Sequence, residues 1–89
     1  MEDQELARRT YALPDRFADR LDPKDLANAR EYASVGEWGE EVEELLACLQ
    51  QGDRAITTAE REELQMLLEA MGKPSDHLDQ LRVSGYSPR

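Results

Sequence analysis

Hydrophobic positions recur every three to four residues along most of the chain, in stretches separated by glycine, proline and capping residues. The clearest stripe is Trp38, Val42, Leu45, Leu46 and Leu49. It is about 100° wide at the 3.6-residue period and predicts a helix from about Glu37 to Gln51, with Gly52 as its stop. A second stripe, Leu64, Leu67, Leu68 and Met71, predicts another helix, closed by Gly72-Lys73-Pro74. Thr57 and Glu60 open it as a capping box, in which each side chain satisfies a backbone N–H near the other.

Upstream, Asp22-Pro23 is a start signal: a capping aspartate, then proline at the first helical position. The helix it opens runs from about Pro23 to Ser34, with Leu26, Ala29 and Ala33 on one face and Tyr32 beside them. Such small residues let a neighbouring helix come close. Gly36 lies between two helices of different phase, which predicts a positive φ there. From Glu2 to Leu21, apolar residues stand at Leu6, Leu13, Phe17 and Leu21, and Pro14 predicts a kink or two short helices. Ser75 is expected to cap a last turn in which Leu78 and Leu81 pack back, and residues 82–89 read as a frayed tail. No strand pattern, repeat or low-complexity run is visible. The expectation is a single all-α domain over 1–89, a small bundle of about four helices with a short C-terminal helical turn.

Charge changes this picture in one place. The net charge is −9. From Glu31 to Met71 there are eleven acidic residues against Arg54 and Arg61 alone, and elsewhere acids and bases balance. A confined acidic stretch argues against nucleic-acid binding, which needs a basic face, and suits a partner that has one. No apolar run is long enough to span a membrane, and MEDQELARRT lacks the positive and apolar regions of a signal peptide. A cytoplasmic protein is therefore expected, with a monomer favoured.

The helix from Glu37 to Gln51 carries the candidate contacts. Projection at 100° per residue places Glu40 opposite the stripe, Glu37, Glu43 and Glu44 on the same outer half, and Glu41 at its edge. Glu37/Glu41 and Glu40/Glu44 are like-charge pairs one turn apart, each costing about 0.2–0.5 kcal/mol. Helix-dipole stabilisation covers the first-turn glutamates but not Glu43 and Glu44. Glu37, Glu40, Glu41 and Glu44 are thus the first partner-binding candidates, and Glu60, Glu62 and Glu63 the second group. A convex helix face lacks the partly dry pocket that catalytic carboxylates need. His77 stands alone, and Cys48 has acidic neighbours where an activated thiol needs positive ones. No enzyme activity, metal or cofactor is expected.

At GEWGEEVEEL the sequence resembles the small helical immunity proteins of the MafI type, which accompany polymorphic contact-dependent or secreted toxins in bacteria. The resemblance is carried by Tyr32 before Gly36-Glu37, then Trp38, Val42, Glu43 and Leu45. Ile56, Thr57 and Glu60 follow, then Leu64, Leu67, Leu68 and Met71-Gly72, so that residues 21–72 are covered. It departs at Glu41, where the pattern has a small apolar residue, usually alanine. That implies more open packing there or a recruited surface contact. The resemblance implies a non-enzymatic inhibitor that binds one cognate toxin domain, expected to be a nuclease, and occludes its active site. The alternative is a small acidic adaptor or assembly subunit with no toxin partner.

Overall fold

In the computed structural model, which describes residues 1–84, every other helix packs on the one that carries the longest leucine stripe. The elements are α1 (Asp3–Arg16), a 3-10 turn (Ala18–Arg20), α2 (Pro23–Ser34), α3 (Trp38–Gln51), α4 (Thr58–Ala70) and α5 (Asp76–Asp79). The fold is an all-α bundle, and α3 is in contact with α1, α2, α4 and α5. Val42, Leu45, Leu46 and Leu49 of α3 are buried with Leu64, Leu67 and Leu68 of α4 and Leu78 and Leu81 at the C-terminal turn. Trp38, expected as a core anchor, is only partly buried and lies against this cluster rather than within it.

The first segment contributes more than its sequence suggests. Leu6, Leu13 and Phe17 all enter the core. Helix α1 runs through Pro14 without breaking in two and ends two residues later, at Arg16. The proline removes the backbone bond to the Thr10 carbonyl and crowds that oxygen, which fits the early end. The buried Thr10 turns its hydroxyl onto the Leu6 carbonyl oxygen at 2.9 Å.

Three helices end in the same way. The Glu37 N–H donates to the Tyr32 carbonyl and the Gly36 N–H to the Ala33 carbonyl, the paired closure that needs a left-handed residue after the helix. Gly36 supplies it at φ 77° and Gly72 repeats it at φ 68°. After α3 the closure is one residue later than expected. Gly52 has φ −82°, and Asp53 takes the left-handed position at φ 51°. The Arg54 N–H then reaches the Leu49 carbonyl at 2.9 Å and the Asp53 N–H the Gln50 carbonyl at 3.1 Å.

All three N-terminal caps sit where expected, but they differ in chemistry. Thr57 and Glu60 form the full capping box, whereas Asp22 precedes Pro23, and Ser75 precedes α5, without a side-chain cap bond. The tail also departs from expectation. Residues 82–84 are not frayed: the Ile56 N–H donates to the Arg82 carbonyl at 2.9 Å and the Ser84 N–H to the Ile56 carbonyl at 2.8 Å. Ile56 and Val83 thus form an isolated parallel bridge. The remainder of the expected tail, 85–89, lies outside the described residues.

The helix ends generate a matched pair of stability predictions. Nothing lies within 4 Å of a Cβ built on Gly36, so Gly36→Ala should destabilise the fold by about 1 kcal/mol through backbone strain alone. Asp53→Gly should stabilise it by roughly 0.5–1 kcal/mol, by relieving the same strain. Denaturant midpoints of the two variants test this. A stabilised Gly36→Ala protein would mean that α2 and α3 do not turn at this residue.

Candidate functional site

The turn at Gly36 brings the end of α2 and the start of α3 together around Tyr32. One concavity of about 440 Å³ lies beside the joint, lined by Asn28, Glu31, Tyr32, Val35 and Glu37. A second, of about 360 Å³, lies along α3 and includes Tyr32, Glu40, Glu43, Glu44 and Ala47, with Lys73 and His77 from the C-terminal segment. Tyr32 lines both, so the two form one continuous surface with an aromatic ring at its centre. Val35 beside it is 64% exposed.

Basic residues of the C-terminal segment border one side of this surface only. His77 Nδ1 lies 3.0 Å from a Glu43 carboxylate oxygen. Lys73 lies across Gly39, where any Cβ would come within 2.5 Å of its Cε. Glycine at position 39 is what lets the lysine stem rest on the helix. Glu31, Glu37, Glu40 and Glu44 form no ion pair among the described residues.

Glu41 does not belong to this face. It was expected at the edge of the exposed arc, as a partner contact, but it is completely buried. Neither carboxylate oxygen has a hydrogen-bond partner. The reason lies in α2. Ala29 and Ala33 are buried and small, so α2 approaches α3 closely and covers more of its circumference than the leucine stripe marks out. Burial alone raises the Glu41 carboxyl to about 8, because an ion without water or a partner is strongly disfavoured.

Glu60, also a partner-binding candidate, is committed internally. Its two oxygens accept from Arg20 Nη1 at 2.7 Å and Nη2 at 2.6 Å. One of them also accepts the Thr57 backbone N–H at 2.8 Å. Arg20 further donates to the Ala55 carbonyl at 3.2 Å and lies 4.9 Å over the Phe17 ring. The bond from Arg20 is the main reason that the Glu60 carboxyl stays below its ordinary range. Glu63 is half-buried and pairs with Arg9 at 3.0 Å. Of the second group only Glu62 is exposed, and it forms no ion pair among the described residues.

Missed by the sequence reading were Glu31, Tyr32 and Val35 as parts of one surface. The signal was present: Tyr32 and Val35 lie in the last turn before a glycine that redirects the chain. Cys48 is half-buried, and its thiol donates to Glu44 at 3.6 Å. Burial first, then acidic neighbours led by Asp25, push it up to about 12, the opposite of an activated nucleophile. Asp25, Glu44 and Cys48 have donor atoms all within 4.8 Å of one another, the one such grouping of three among the described residues. None of the described helices is long and apolar enough to cross a membrane. Among known proteins, no family model, no curated protein and no solved structure matches the chain.

Glu41 and Glu60 impose opposite pH dependences. The folded Glu60 carboxyl is depressed, so its stabilisation is present above its unfolded value and lost as pH falls. The folded Glu41 carboxyl is raised from 4.5 to about 8, so stability falls as pH climbs through that window. Glu41→Gln should flatten the slope between about pH 5 and 8. Glu41→Leu, which removes the unsatisfied oxygens, should stabilise the protein at neutral pH by roughly 1–3 kcal/mol. Urea titrations across this range give the readout. An unchanged slope in Glu41→Gln would show that the carboxylate reaches water.

Proposed function

We propose that the chain is an immunity protein: it binds one cognate toxin domain, expected to be a nuclease, and covers its basic active site with the surface around Tyr32. The single observation that carries this reading is the pair of adjoining concavities in which Glu31, Glu37, Glu40 and Glu44 surround an aromatic ring without an ion-pair partner from the described chain. Nucleic-acid enzymes present basic clefts, and a carboxylate-rimmed surface both steers towards such a cleft and complements it. Tyr32 and Val35 supply the apolar centre that a charged rim alone lacks, since binding energy concentrates on a few desolvated, often aromatic, contacts. The choice of a toxin as partner rests on the resemblance from Gly36-Glu37 through Met71-Gly72. The proposed role is occlusion and requires no catalytic group.

Glu37 and Glu40 are the carboxylates to reverse, because both are exposed. Glu37→Lys/Glu40→Lys should slow association with the toxin domain, reduce its salt dependence, and abolish protection of a cell that expresses the toxin. Fold stability should change by only about 0.5 kcal/mol per exposed site. Tyr32→Ala should act through a faster off-rate instead. Glu62→Lys, on the far group, should leave protection intact. Full protection by a folded Glu37→Lys/Glu40→Lys protein would remove this surface from the interface. Tight binding to a basic protein without protection would identify an adaptor.

A further inference from the structure

The seam between α1 and α4 has the opposite chemistry. Arg8, Ala12 and Arg16 follow one another at four-residue spacing along α1, so they form one line on its surface. They border a concavity of about 300 Å³ whose floor includes Leu13 and whose far wall is Glu63 of α4. Arg9 is committed within the seam, at 2.7 Å from Glu5 and 3.0 Å from Glu63. The other two arginines are not. Arg8 reaches Glu5 only at 3.7 Å, with its side chain 73% exposed. Arg16 forms no ion pair among the described residues.

We propose that this seam is a second docking surface, which takes an acidic segment of a protein partner. Charge complementarity selects that occupant. The backbone positions of Arg8 and Arg16 stand about 12 Å apart along the helix, eight residues at 1.5 Å each, and each guanidinium fork can match a carboxylate in planar, two-point fashion. Between them the surface is the exposed Ala12, with the almost wholly covered Leu13 beneath it. An extended strand rises about 3.3 Å per residue and alternates its side chains. Residues i and i+4 of such a strand therefore span the same 12–13 Å on one face, with residue i+2 between them. A Glu-x-Leu-x-Glu segment thus sets a carboxylate against each arginine and the leucine over Ala12 and Leu13. The same two helices also carry exposed apolar residues, Tyr11 on α1 at 68% and Met66 on α4 at 42%. Tyrosine, methionine and arginine are the residue types enriched at protein interfaces. A nucleic acid or an anionic membrane would need a broad basic face, whereas here Arg16 and the exposed, loosely paired Arg8 stand on a chain of net charge −9.

The test is a titration of the ¹⁵N-labelled full chain with the peptide Ser-Glu-Ser-Leu-Ser-Glu-Ser, followed by NMR. Saturable shifts confined to amides of α1 and α4 are expected. Affinity should fall by about tenfold or more in Arg8→Glu/Arg16→Glu and on raising the salt. It should also weaken when serine replaces the leucine, and vanish when lysines replace the glutamates. Both arginines are exposed, and circular dichroism verifies that the variant folds. Equal affinity for the variant, no saturable shift, or shifts spread equally to Arg54 and Arg82 would overturn the proposal. So would concentration-dependent shifts of the protein alone that link Arg8 and Arg16 to Glu37 and Glu40, because the occupant would then be a second copy.

Discussion

Helix α3 must be buried from several sides at once, and the rest of the structure follows from that constraint. Because α1, α2, α4 and α5 all pack on it, most of its circumference is committed to the core. Val42, Leu45, Leu46 and Leu49 are each no more than 1% exposed. What remains is a strip through Glu37, Glu40, Glu43 and Glu44, so the charge of α3 is concentrated along one side. The alanines of α2 narrow that strip further. By letting α2 come close they extend the apolar environment as far as Glu41, which holds a carboxyl where the packing calls for an apolar group.

What could be read in the sequence was local. The leucine stripes, the Thr57–Glu60 capping box and the positive φ of Gly36 each depend on residues within a turn or two of one another. The rest depends on distant partners. Arg20 and Glu60 are forty positions apart, and nothing near Glu60 distinguishes a carboxylate that faces solvent from one held by an arginine. A helical projection put Glu41 at the edge of the exposed arc, where the structure buries it. It could not say how far a neighbouring helix would cover that edge. The end of α3 at Gln51-Gly52 was legible, but the residue that takes the left-handed position after it was not. Gly52 is the better residue for that conformation, yet the hydrogen-bond pattern requires it one residue later, at Asp53. The Tyr32 surface was half legible, because its carboxylates are periodic on α3 while its aromatic centre comes from α2.

The charges of the described chain divide into three groups with different physical roles. Arg20 with Glu60 is internal and structural, joining the turn after α1 to the first turn of α4. The glutamates around Tyr32 are exposed and lack counter-ions, and the Arg8–Arg16 line on α1 is exposed with the opposite sign. An acidic molecule with a localised basic line has an electrical direction as well as a net charge. A partner approaching it feels a torque before contact, so oriented encounter precedes docking. Lys73, resting on Gly39, adds one positive charge beside α3, while Glu37 and Glu40 form no ion pair among the described residues.

The parallel bridge between Ile56 and Val83 makes the burial of one inter-helix connection depend on the far end of the described chain. Ile56 lies in the connection between α3 and α4, fully buried, and both its backbone polar groups are satisfied by Arg82 and Ser84. A buried backbone group left without a partner is costly. Without Arg82 and Ser84 the Ile56 N–H and carbonyl would be buried with no partner, so the short segment after α5 acts as a latch on the connection between α3 and α4.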